Sequence, residues 1–260
     1  MLKLLKCHFM KHKRTLDICL TPLMIPLFNM SNTKVVIIDV FRATSAMCVF
    51  LNNEGSKVIP VATTGEAKEY QNTFNEYGEK VLVAAERNGS IVPGFDLGNS
   101  PLSYHNQNFK NKSLVITTTN GTASIEKSKN AEKGMVLASF LNCNSIVNYL
   151  NNIEDNILIV CSGWKGRFCI EDLLLAGLLS KKIISKNSFS NHSDSILLAI
   201  NMYDSAYPNL LSFLQSSSYM SRMNLQKDIE YCLQTNIMDI IPSWCVNNSN
   251  KGFFTNVDNI

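Results

Sequence analysis

The stretch CSGWKGRFCIEDLLLAG, residues 161–177, decides the fold. It ends an apolar run, 157–161, that reads as a buried strand. The strand passes into a loop carrying Gly163 and Gly166, then into the acidic pair Glu171 and Asp172, then into an apolar helix over 171–184. Two carboxylates therefore stand at a helix start, where a loop leaves the C-terminal end of a strand. In open α/β sheets such ends are where ligands bind. Residues 35–39 repeat the layout, an apolar run ending in Asp39, with Arg42 and Thr44 ahead of a helix over 44–52. Carboxylates and an arginine at separate strand ends point to a site for an anion together with a divalent metal.

Outward from these segments the chain alternates. Further strands are expected at 57–61, 80–85, 113–118 and 134–138. Further helices are expected over 65–77, from the 119–122 turn through 128, and over 141–150, 193–207 and 225–235. Residues 91–101 read as a loop rich in Gly, Pro and Asn. The tail, 239–260, is rich in Asn and Ser and reads as an edge strand or a loose segment. Short apolar strands separated by helices imply a sheet buried on both faces. The fold class expected is α/β, a three-layer α/β/α arrangement with a largely parallel or mixed central sheet. It forms a single domain over 15–260 behind a basic extension, 1–14.

Composition narrows the function. Of 260 residues, 45% are hydrophobic and 17% charged, which suits a globular domain rather than a disordered chain. Net charge is +3, but residues 1–34 hold six Lys or Arg against one acid, so the remainder carries −2. A slightly acidic body argues against nucleic acid, which calls for a basic stripe. No apolar run reaches the ~18 residues of a membrane helix, and no leader with an unbroken apolar stretch is evident. The expectation is a cytoplasmic protein without membrane or nucleic-acid partners, with a two-fold homodimer as the commonest assembly. The eight cysteines include no C-x-x-C pair and read as small buried hydrophobes. His8, His12, His105 and His192 are scattered singly and are set aside as ligands.

The polar residues gather at four strand ends and one loop. They are Asp39 and Arg42; Glu86, Arg87 and Asn88; Thr119, Asn120, Gly121 and Thr122; Glu171 and Asp172; and, on the loop 94–101, Asp96 and Asn99. Mg²⁺ takes one or two carboxylates plus waters and substrate oxygens, and Asp39, Glu86, Asp96, Glu171 and Asp172 supply candidates. Phosphate and sulfonate call for arginine forks and amides at helix starts, which Arg42, Arg87 and the 119–122 turn supply. Each residue alone has an ordinary role as a cap or a turn, and only the joint pattern speaks for a site. Three alternatives stay open. Cys161 and Arg167 fit C-x₅-R, the loop of a cysteine phosphatase. An aspartyl-phosphate mechanism at Asp39 needs a second Asp two positions on, where Phe41 stands. A non-catalytic protein binding a phosphometabolite would keep the fold.

The segments VVIIDVFRATSA (35–46), AAERNG (84–89), GFDLGNSP (94–101), TTTNGT (117–122), LNCNS (141–145) and 161–177 together resemble the 2-phosphosulfolactate phosphatase (ComB-type) family, over about residues 33–242. The resemblance implies an α/β/α fold and a Mg²⁺-dependent phosphatase. The expected reaction takes 2-phosphosulfolactate to sulfolactate and inorganic phosphate, a step known from coenzyme M biosynthesis. By motif match it carries over Asp39, Glu86, Asp96, Asn99, Asn120, Glu171 and Asp172, with Arg42 as anion binder. The expected assignment has Asp39, Glu171 and Asp172 catalytic. Metal would be held among Asp39, Glu86, Asp96, Glu171 and Asp172. Substrate would be held by Arg42, Arg87, Asn88, Asn99, Thr119, Asn120, Gly121 and Thr122, with Arg87 or Lys165 taking the sulfonate.

Overall fold

The computed structural model describes residues 14–76, 80–87, 89–186, 189, 193–222, 225–249 and 251–257. Along the chain run β1 (Leu16–Cys19), β2 (Thr33–Ile38), α1 (Ala43–Asn52), β3 (Lys57–Pro60), α2 (Thr64–Glu76), β4 (Lys80–Arg87) and β5 (Ser90–Ile91). Next come β6 (Lys112–Thr117), α3 (Gly121–Lys127), β7 (Met135–Ala138), α4 (Cys143–Asn152), β8 (Asn156–Cys161) and α5 (Ile170–Ile184). The chain continues through α6 (Asp194–Ala206), α7 (Leu210–Leu214), α8 (Ser218–Arg222), α9 (Gln226–Cys232), β9 (Pro242–Val246) and β10 (Gly252–Asn256). The expected strands and helices are present, the two-residue strand β5 is added, and α7 and α8 are additional helices. Both are only five residues long and lie where the sequence has no sustained period.

Period-two alternation explains why the sheet is covered on both faces. Val36 and Ile38 of β2 pack with Ile159 of β8 and with helices α4, α5 and α6. Their neighbours Val35 and Ile37 face the other way, against α1, Leu137 and Val160. Ile59, Val81, Val83 and Val115 form a third cluster with Ala67 of α2. The α5 and α6 backbones approach closely: a Cβ on Gly177 would lie 2.1 Å from the Ala199 carbonyl oxygen, so only glycine fits there.

The strand order is β1-β8-β2-β7-β9-β10-β3-β6-β4-β5. β1, β8, β2 and β7 pair in parallel, as do β3, β6 and β4. Between these two sets lies the antiparallel hairpin β9–β10, itself antiparallel to β7 on one side and to β3 on the other. The tail is thus neither an edge strand nor loose but the middle of the sheet. Its Asn and Ser residues concentrate in the hairpin turn, while Trp244 and Phe254 pack edge to face with ring centres 5.0 Å apart. Three successive antiparallel pairings also make the two parallel sets run in opposite local directions. One rim of one parallel sheet therefore does not build the site. Helix α3, which follows β6, packs instead against β2 of the other set and brings the end of β6 to Asp39.

Of the basic extension, residues 1–13 lie outside the described residues. Arg14 belongs to the body: Nη2 donates to the Leu150 carbonyl at 2.8 Å, Nη1 to the Ile153 carbonyl, and the guanidinium lies 4.7 Å from the Phe189 ring centre. These bonds satisfy carbonyls at the end of α4, where a cation is favoured.

Candidate active site

The ends of β2, β3, β4, β6 and β8 all contribute to one cavity of about 740 Å³. Asp39 follows β2, Ala62 follows β3, Glu86 and Arg87 end β4, and Thr118, Thr119 and Asn120 follow β6. Gly163, Trp164 and Lys165 follow β8; Glu171 and Asp172 open α5; Tyr219 and Arg222 come from α8.

The acids meet on one wall. Asp172 Oδ1 accepts from the Val40 amide and Oδ2 from the Gly163 amide, both at 2.9 Å. Asp172 thereby braces the segment after β2 against the loop after β8, and so fixes Asp39 and Glu171 as neighbours. Asp39 is 7% exposed. Burial pushes its carboxyl up to about 7; the Ala43 and Gly121 amides and Arg42 oppose that rise, while the Glu171 charge adds to it. Burial likewise raises Glu171, against the pull of the Cys169 thiol and Arg222. Burial, then the charges of Asp39 and Glu171, hold Asp172 well above the usual carboxylate range. Buried carboxyls whose charge is this disfavoured are the groups a bound cation would relieve.

Gly121 does not line the cavity but closes it from behind. A Cβ there would lie 2.9 Å from Asp39 Oδ2 and 3.1 Å from Thr118 Oγ1. Thr122 also stands outside, its amide accepted by Thr118 Oγ1 at 3.1 Å and its hydroxyl donating to the Thr118 carbonyl at 2.8 Å. Asn120 Oδ1 accepts the Lys165 amide at 2.9 Å and ties the β6 turn to the β8 loop. That loop is a tight hairpin in which Trp164 and Arg167 exchange backbone bonds of 2.8 and 3.0 Å. A Cβ on Gly163, at φ +58°, would strike the Arg167 carbonyl oxygen at 2.1 Å.

Two expected metal ligands hold other partners. Glu86 lines the cavity, but its Oε2 accepts from Arg42 Nη2 and, at 3.4 Å, from the Asn99 amide. Asp96 lies apart, where Oδ2 accepts from the Val83 amide at 2.8 Å and from Gln71 Nε2 at 3.1 Å. Its role here is to pin the 94–101 loop to β4. Arg42 is enclosed too, with Nη1 donating to Asp228 and Nη2 to Glu86. Burial works against its charge, but Tyr219, Glu86 and Asp228 outweigh that and hold its pKa above the ordinary value. Asp228 also accepts from Ser100 Oγ at 2.6 Å, so one buried group joins α9, the 94–101 loop and the β2 end. Asn99 lines the cavity with a buried Oδ1 that meets no partner among the described residues, an acceptor open to a ligand. Arg87 is exposed on the rim, and Asn88 lies outside the described residues.

Sequence reasoning missed Asp228, Ser100, Tyr219 and Arg222. Asp228 is 186 residues from its partner Arg42 and sits in an unremarkable polar turn of helix, so no local signal marked it. The cysteine route does not assemble. Cys161 ends β8 at 1% exposure, and burial, then Asp172, raise its thiol well above its usual value, while Arg167 is exposed. A thiolate nucleophile needs the opposite environment.

Among the described residues no three His, Cys, Asp or Glu side chains form a ready-made metal cage. Mg²⁺ does not require one, because it keeps several waters and takes one or two carboxylates with substrate oxygens. The pair Asp39 and Glu171 fits that demand. Among the described residues no helix is long and apolar enough to cross a membrane.

The fold and the cavity define a class, an α/β protein whose strand ends gather buried carboxylates and cations in one cavity. The profile of the 2-phosphosulpholactate phosphatase family matches residues 19–247, and the chain belongs to that family. Membership places it among the phosphoric monoester hydrolases. Proteins named probable 2-phosphosulfolactate phosphatase from Thermotoga petrophila and Thermotoga maritima are each 39% identical to it over 211 residues, 80% of this chain and 87% of theirs. One of the same name from Clostridium beijerinckii is 33% identical over 216 residues, 82% of this chain and 89% of its own.

Proposed function

We propose that the chain hydrolyses the phosphate ester of 2-phosphosulfolactate, the substrate in its relatives' names, with Mg²⁺ as cofactor. The observation that carries this is the convergence of Asp39, Glu171 and Asp172 with Thr118, Thr119 and Asn120 on one cavity, the three acids buried. Asp39 and Glu171 would hold Mg²⁺, which supplies charge neutralisation at the phosphoryl oxygens. Asp172 keeps both in place through its two backbone bonds. Thr118, Thr119 and Asn99 offer neutral hydrogen bonds to the ester. The Glu171 oxygen that the metal leaves free would orient the attacking water and take up its proton. Arg42, enclosed by Glu86 and Asp228, acts as a fixed positive centre at the edge of the site.

The test is phosphate release from 2-phosphosulfolactate by purified protein, with Mg²⁺ and with EDTA. Release that EDTA abolishes and Mg²⁺ restores is expected, with iodoacetamide without effect. Binding without release would leave a non-catalytic phosphometabolite protein. Release indifferent to EDTA would remove the metal.

A further inference from the structure

The cations at the cavity differ in how they are held. Arg42 is fully paired. Arg222 and Lys165 are not: among the described residues neither forms an ion pair with a carboxylate. Both lie over one indole. The Arg222 guanidinium carbon is 3.8 Å from the Trp164 ring centre, and Lys165 Nζ is 4.8 Å from it. Among the described residues one acceptor, Ser218 Oγ at 2.9 Å, takes one of the five N–H groups of Arg222. All three side chains line the cavity that holds Asp39 and Glu171, and the Arg222 charge is felt by Glu171.

A guanidinium held over an indole face still has N–H groups to offer an oxyanion, and it gives up little rotamer freedom on binding. The platform is itself fixed by the Trp164–Arg167 hairpin and by Asn120 on the Lys165 amide. Tyr219, one helical turn before Arg222, rests on Phe41 with ring centres 5.0 Å apart. The pair is thus anchored from both elements.

We propose that Arg222 and Lys165, mounted on Trp164, hold the sulfonate of the substrate and determine the preference for phosphate esters that carry a second strong-acid group. This rests on the phosphatase reading above. Arg222 is the principal ligand, Lys165 contributes charge, and Trp164 is a positioning residue that acts through Arg222.

The test compares 2-phosphosulfolactate with 2-phospholactate, which has a methyl group where the first has a sulfomethyl. Arg222→Gln is expected to lower kcat/KM for 2-phosphosulfolactate roughly 10- to 100-fold, the worth of a charged hydrogen bond, mainly through KM. 2-Phospholactate, which has no sulfonate for Arg222 to hold, should lose clearly less, so that the ratio of the two kcat/KM values falls about 10-fold or more. Trp164→Ala should give the same split and Trp164→Phe, which keeps an aromatic face, should restore most of the loss. Equal losses on both esters would show that Arg222 serves the phosphate, and would overturn the proposal. Should the parent protein release phosphate from neither ester, the phosphatase reading fails, and calorimetry with sulfolactate and lactate decides the sulfonate site separately. Tighter binding of sulfolactate that weakens in Arg222→Gln sustains it, and equal binding of the two acids refutes it.

Discussion

Replacing Asp39 by Asn should make the metal-free protein more stable at neutral pH while abolishing turnover. The Asp39 carboxyl is pushed from 3.8 up to about 7 by burial. Between those values the native state holds a proton that the unfolded chain has lost. Stability therefore falls as pH rises, by about 1.4 kcal/mol per unit. From pH 4.5 to pH 7.5 the wild type in EDTA should lose roughly 3 kcal/mol through this group. Asn carries no charge and escapes the loss, although its amide can satisfy only one of the two backbone N–H groups, of Ala43 and Gly121, that face Asp39. Urea unfolding in EDTA at the two pH values gives the measurement. With a slope of about 3 kcal/mol per molar for a chain of this size, the variant should gain about 1 M in midpoint relative to wild type across the interval. Mg²⁺ at saturating concentration should raise the wild-type midpoint at pH 7.5 and leave Asp39→Asn unmoved. A midpoint difference that does not change with pH would refute the claim that Asp39 is a strained buried acid.

Three more outcomes are expected. Asp228→Asn leaves the buried Arg42 with only Glu86 and should cost about 3–5 kcal/mol in urea unfolding; a shift within error would show that Glu86 suffices. Gly121→Ala forces a methyl to 2.9 Å from Asp39 Oδ2, 3.1 Å from Thr118 Oγ1 and 3.2 Å from Ala43 Cβ. Phosphate release should fall by about 100-fold while the melting temperature moves little, since small misplacements at a reacting centre are costly. Cys161→Ala should retain turnover, measured by the same phosphate assay; its loss with the fold intact would reopen a role for the thiol.

The acidic wall was legible because Asp39, Glu171 and Asp172 each end a strand or start a helix in an unbroken local pattern. The same local pattern gave no sign of the partners that Asp96 and Glu86 hold. Both are acids at the expected place, but one is taken by the Val83 amide and Gln71 and the other by Arg42, and neither partner lies nearby in sequence. Arg222 lies on a helix of five residues, too short for periodicity to reveal, and its platform Trp164 lies 58 positions earlier. The tail was misread because Asn and Ser in a hairpin turn dominate its composition, while the residues that pair, such as Trp244 and Phe254, are few.

The position of the β9–β10 hairpin has a consequence for how the chain is assembled. Every strand of both parallel sets precedes residues 242–256, yet among the described residues the strands of the two sets are paired into one sheet through that hairpin. During synthesis the halves can each collapse, but their seam stays open until the keystone leaves the ribosome. A nascent chain stalled ahead of residue 242 would carry two unmated sheet borders, β7 and β3, and would be a client for chaperones rather than an enzyme with a part missing.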